Sequence, residues 1–166
     1  MAYKINKDLY VGDTGKQLKD IKKVDKCIFE AYYTSNITLN QEWQAPSFGG
    51  CASYGDKLEF KNGRIYVKAG VTCVKVSAIA FLENMGADHI GYVWLHIQKN
   101  GGGVSTSITS GSSGYYESLV CPDLITWVNE GDYFTLNFNN SWYTSGNYPI
   151  VRAWGDNTRL VVEVVE

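Results

Sequence analysis

The stretch from Ile125 to Phe138, ITWVNEGDYFTLNF, constrains the fold of this chain more than any other. After Asn129-Glu130-Gly131-Asp132, the apolar residues Phe134, Leu136 and Phe138 alternate with Tyr133, Thr135 and Asn137. A period of two is that of a strand with one face in a core. Gly131 can take a positive φ without a Cβ clash, and Asp132 can bond nearby backbone, so the turn has a mechanism.

The rest of the body repeats this pattern. Leu58 and Phe60 lead to Asn62-Gly63, a strong hairpin signal, and Ile65 and Val67 follow on one face. Beyond Ala69-Gly70, Val74, Val76, Ala78 and Ala80 alternate with a second set that also holds Ile79 and Phe81. Such a strand is expected to be central and mostly buried on both sides. In HIGYVWLHIQKNGG, Val93, Leu95 and Ile97 face one way and Tyr92, Trp94 and His96 the other, before a Lys99-Asn100-Gly101 turn. The Ser/Thr/Gly tract 102–114 reads as a loop with one weak strand at Ser105 to Ile108. The final TRLVVEVVE alternates to the last residue.

Composition agrees. Seventeen Gly and twelve Tyr against three Pro and two Met favour strands and turns. A chain of 166 residues, 45% apolar and 19% charged, can bury a core and suits one soluble domain with a short appendage. A net charge of −2 gives no electrostatic reason to expect nucleic acid or an anionic membrane as partner. No apolar run reaches the length of a membrane span, and MAYKINKDLY has no signal-peptide core, so synthesis in a cytoplasm without membrane insertion is expected. Cys27, Cys51, Cys73 and Cys121 are scattered with no CxxC pairing, a pattern of buried reduced thiols rather than a zinc site.

Residues 1–40 read as an N-terminal attachment segment with a short helical stem, and 41–166 as the strand-rich head. Within KQLKDIKKVDKCIFEAYYT, Ile21, Val24, Ile28 and Ala31 fall at steps of three, four and three. That is either a short a/d seam, whose β-branched residues favour three strands, or an amphipathic helix packed on its own domain. On this boundary, a chain lacking residues 1–40 is expected to fold.

Three segments, in order, resemble the C1q/TNF-like jelly roll: NGRIYVKAGVTCVKVSAIAF, the strand ending in Lys99-Asn100-Gly101, and the Gly131-Asp132 hairpin of the opening stretch. The resemblance covers roughly Trp43 to Glu166. It implies an all-β jelly-roll β-sandwich, here with a short N-terminal segment containing a helix, whose C-terminal strand lies centrally in one sheet. It also implies a homotrimer. Cys121-Pro122-Asp123 and 141–147 depart from that pattern as local insertions. The lead-in DLYVGDTGKQLKDI is similar to short N-terminal stretches of phage tail and head-fibre proteins, which dock to a particle.

Catalytic signatures are missing from the sequence. His89 and His96 have no Ser or Cys partner in a nucleophile motif, and Gly101 to Gly103 lie in a hairpin rather than opening a helix. No metal motif or cofactor loop is present, so neither is expected. Aromatic loops are the remaining signal. Trp142, Tyr143 and Tyr148, with Tyr115 and Tyr116 beside another loop, suit recognition of a sugar or peptide, or else fill the core or a subunit interface. Tyr66, Tyr92, Trp94 and Tyr133, with Ile21, Val24 and Ile28, are the candidate trimer interface.

These features point to a non-enzymatic homotrimeric structural and binding protein. It would be a phage or prophage fibre or receptor-binding protein, carried in the virion, docked by residues 1–40, and presenting its head to a host-surface glycan or protein. Two other readings differ in class: a bacterial surface or spore-coat protein, and a jelly-roll glycan-degrading enzyme. The enzyme needs two poised carboxylates, and no pair stands out.

Overall fold

Period-two alternation becomes two antiparallel sheets in the computed structural model, which describes residues 26–85, 91–110, 116–141, 148–153 and 158–166. Its thirteen strands, among those residues, are β1 (Ile28–Tyr32), β2 (Ile37–Thr38), β3 (Trp43–Gln44), β4 (Gly50–Tyr54), β5 (Leu58–Lys61), β6 (Arg64–Val67), β7 (Cys73–Glu83), β8 (Tyr92–Lys99), β9 (Gly102–Ser110), β10 (Tyr116–Trp127), β11 (Tyr133–Asn140), β12 (Ile150–Val151) and β13 (Arg159–Val164). The front sheet has the order β2-β12-β7-β13-β1-β4, with β10 on the other edge of β7. The back sheet has the order β5-β6-β11-β8-β9, with β3 also on β11. As the C1q/TNF-like resemblance implies, β13 lies inside its sheet, between β7 and β1.

The core is the contact between the sheets. The front sheet contributes Phe29, Ala31, Val74, Val76, Ala80, Leu82, Leu160 and Val162, and the back sheet Ile65, Val93, Leu95, Ile97, Phe134, Leu136 and Phe138, all buried. Each large apolar side chain contributes about 1.5–3 kcal/mol by leaving water.

Five expectations are corrected. Ile28 and Ala31, read as helical, lie in strand β1, which pairs with both β13 and β4. Phe29, Ala31 and Tyr33 also satisfy a period of two and are the residues that enter the core. Pairing on both sides overrides a helical spacing that only a short window supported. Ile21 and Val24 lie outside the described residues. The head therefore includes β1 and β2, upstream of the expected boundary at residue 40. The strand expected at Ser105 to Ile108 is longer than read: β9 takes up Gly102–Ser110 and pairs with β8, while 111–114 lie outside the described residues. Cys121-Pro122-Asp123 does not separate two segments. It is a bulge within one strand, with a register shift between Cys121 and Leu124. Finally, β10 and β11 do not form a hairpin: the 128–132 turn carries the chain from the front sheet to the back.

That corner is bonded to the other turn read from sequence. The Asp132 carboxylate accepts from Asn100 Nδ2 at 2.6 Å, Lys99 Nζ at 2.9 Å and the Asn129 N–H at 2.9 Å. Asn100 Oδ1 in turn accepts the Tyr133 N–H at 2.9 Å. Gly131 sits at φ 87°, where a Cβ would strain the backbone. Burial alone would raise the Asp132 carboxyl, but the bonds from Asn100, Asn129 and Lys99 outweigh it and hold it below the usual range.

Two expected outcomes follow from these pairings. Deleting residues 1–40 removes β1 and should leave an insoluble or unfolded chain by circular dichroism; a soluble product that melts cooperatively would restore the boundary at 40. Asp132→Ala should cost about 1–3 kcal/mol at neutral pH, as hydrogen bonds to a charged group do. Because the folded pKa is depressed, this contribution is present above the unfolded value of about 4 and fades as pH falls through the folded one. Paired melts across that range would show the gap closing; a gap independent of pH would contradict the charged network.

Candidate functional site

Each sheet has a second face, turned away from the core, and the two differ in chemistry. On the front sheet, strand register sets Tyr54, Ile28, Glu163, Lys75 and Ile125 in one row. Tyr32, Arg159, Ile79 and Val120 form another. Tyr54, Tyr116, Val120, Ile125 and Trp127 are between 55% and 71% exposed, a concentration of large apolar side chains on one surface. Two ion pairs lie on it: Lys75 Nζ to Asp123 at 2.7 Å, and Arg159 to Glu30 at 3.8 Å. The Asp123 hydrogen bond and charge raise the Lys75 pKa.

The β10 bulge opens a hollow of about 300 Å³ in this face. Ser77, Ile79, Val120, Pro122, Asp123 and Val161 line it. The bulge also sets which β10 residues face outward. Tyr116, Ser118 and Val120 do so before it, and Ile125 and Trp127 after it.

The back sheet's outward face is mixed aromatic and polar. Tyr66, Tyr92, Trp94 and Tyr133 all lie on this sheet, but as two pairs at opposite ends. The Tyr66 and Tyr133 rings are 5.5 Å apart, with the Arg64 guanidinium 4.6 Å above Tyr133. The Tyr92 and Trp94 rings are also 5.5 Å apart. Only Tyr92 of the four is exposed. Ile28 belongs to the front face instead, so the structure does not gather the interface candidates on one surface.

Of the ligand candidates, Tyr116 is exposed and stacks on Phe81 at 5.7 Å, and Tyr148 is half-buried, its carbonyl accepting Asn84 Nδ2 at 2.8 Å. Both lie near Glu83, which pairs with Tyr116 on one side and Ile150 on the other. Trp142, Tyr143 and Tyr115 lie outside the described residues, as does His89. Among the described residues, no three His, Cys, Asp or Glu side chains converge in a way that could hold a metal. Cys27, Cys73 and Cys121 are buried, Cys51 half-buried, and all four are free thiols.

Sequence reading passed over the front-face set Tyr54, Val120, Ile125 and Trp127. A period-two scan loses phase at the bulge, and no local signal says that 116–127 is one strand.

No protein-family model matches the chain, and no curated protein does. Solved structures do match in fold. Murine APRIL at pH 5.0 superposes with a TM-score of 0.64 at 10% identity, over 84% of this chain and 99% of that one. Murine APRIL at pH 8.0 and at pH 8.5 gives a TM-score of 0.63, with the same identity and coverage. The chain has a TNF-like jelly-roll fold. At this identity the likeness is one of fold, and the surfaces described above are the chain's own.

Proposed function

We propose that this chain is a homotrimeric binding protein that self-associates through the outward face of its front sheet. The observation that carries this reading is the apolar set Tyr54, Tyr116, Val120, Ile125 and Trp127, exposed on one face beside half-buried Ile79, Phe81 and Val161. Contiguous apolar surface of this kind marks an interface, and a closed assembly covers it without leaving open ends. The C1q/TNF-like resemblance supplies the number three. Ile28 contributes to this face directly.

The wider role is a phage or prophage fibre or receptor-binding protein, with the N-terminal segment docking to the particle and the head meeting a host-surface glycan or protein. The DLYVGDTGKQLKDI similarity supports it. A binding role rather than catalysis is supported by the acidic groups. Glu30, Glu83, Asp123 and Asp132 each face a cationic partner, which suits anchoring better than proton transfer.

Light scattering of the full-length chain should give the mass of three chains at micromolar concentration. Ile125→Glu, at an exposed site, should keep the fold but lower the mass, because burying an unpaired carboxylate opposes assembly. A wild-type mass of one or two chains would overturn the trimer.

A further inference from the structure

On the back sheet's outward face, β8, β9, β11 and β3 bring together His96, Thr106, Asn137 and Trp43. Register places His96 directly opposite Asn137 on one side and Thr106 on the other. His96 Nδ1 lies 2.9 Å from the Thr106 hydroxyl. The Trp43 ring rests against the imidazole with centroids 5.5 Å apart, yet Trp43 is 55% exposed. Beneath it, His96 Nε2 and Asn137 Oδ1 are buried and have no protein hydrogen-bond partner, the two such side-chain atoms among the described residues.

A buried polar atom without a partner costs free energy, so two on facing positions call for a group that serves both. With the Thr106 hydroxyl donating to Nδ1, the imidazole carries its proton on Nε2 and is a donor there. Burial lowers the His96 pKa, which keeps the ring neutral at physiological pH. Asn137 Oδ1 is an acceptor. A group serving both must accept from one and donate to the other, which a water or a sugar hydroxyl does. The surroundings narrow the class further. Around His96 on this face, Gln98, Thr135, Asn139, Thr106 and Trp94 carry no charge, and the Arg64 guanidinium sits at the Tyr133 end, so nothing beside the cluster would recognise a phosphate or carboxylate.

We infer that this cluster is a binding site for a neutral saccharide, with one sugar hydroxyl bridging His96 Nε2 and Asn137 Oδ1 while the Trp43 indole stacks on the apolar face of the ring. Sugars combine such hydroxyls with a C–H face, and an exposed indole fits that face. Trp43 sits on a strand of only two residues, held by pairs to Phe138 and Asn139. Its ring turns from the imidazole to the sugar on binding. The site lies on the sheet opposite the proposed trimer face, and depends neither on the trimer nor on a phage origin.

The test is titration of the full-length chain with the methyl glycosides of glucose, galactose, mannose and N-acetylglucosamine, followed by NMR of the Trp43 indole and His96 ring signals. At least one glycoside should shift both signals saturably, while methyl phosphate should shift neither. Asn137→Ala should weaken binding about tenfold, as loss of one hydrogen bond to a buried group does. Trp43→Ala should weaken it at least as much, and Trp43→Phe less, because it keeps a ring. Should Asn137→Ala fail to fold, the exposed Trp43 pair decides. Binding unchanged in Trp43→Ala, or no shift with any of the four glycosides, would overturn the site and leave the two orphan atoms to an ordered water.

Discussion

The front sheet exists only because the last strand enters its middle. β13 pairs with β7 through Arg159 to Val164 and with β1 through Ile28 to Tyr32, joining the first and last described strands in one ladder. Without it, β1 and β4 would have no link to β7, and the core would lose Leu160 and Val162. The end of the chain is pinned as well: the Thr72 and Cys73 N–H groups both donate to the Glu166 carbonyl, at 2.8 and 3.0 Å. Contacts of this sequence separation are costly to form in loop entropy, so they come with a folding mechanism dominated by non-local pairing. Both outward surfaces are positioned by this closure.

Turns and strands with local chemistry were legible in the sequence. Asn62-Gly63, Lys99-Asn100-Gly101 and Gly131-Asp132 stand where their residue types placed them, with Asn62, Gly63, Asn100 and Gly131 all at positive φ. β8, β11 and β13 alternate as read, whereas β7, read as mostly buried on both sides, buries Val74, Val76, Ala78, Ala80 and Leu82 and leaves Lys75, Ser77, Ile79 and Phe81 half-buried. What local pattern could not supply was partnership. Ile28 and Ala31 fit both a helix and a strand, and only β4 and β13 decide between them. The Asp132–Asn100 bond joins two turns that sequence reading treated separately. The bulge at Cys121 to Leu124 hides the continuity of β10 and, with it, the apolar face.

The same limit explains the candidate surfaces. Aromatic content drew attention to β8 and β11, but composition does not say which rings share a face. Tyr66 and Tyr133 meet at one end, and Tyr92 and Trp94 at the other, each pair in a tilted contact. The front face was missed because its members come from β4 and β10, distant in sequence and each unremarkable alone. His96 reads as an ordinary strand residue until its cross-strand partner is known to be Asn137.

The two sheets thus divide the labour proposed for the molecule: an apolar front face covered by neighbouring copies and a polar back face left open to ligand. Oxidative footprinting of the full-length chain at micromolar concentration tests this division most directly. Trp127 is 71% exposed and Trp43 55% exposed in the single chain, so a monomer should oxidise both readily. Assembly through the front face should protect Trp127 and Tyr54 while Trp43 and Tyr92 keep reacting, and dilution should remove the protection. Oxidation of Trp127 as fast as Trp43 at every concentration would contradict the assignment of the front face.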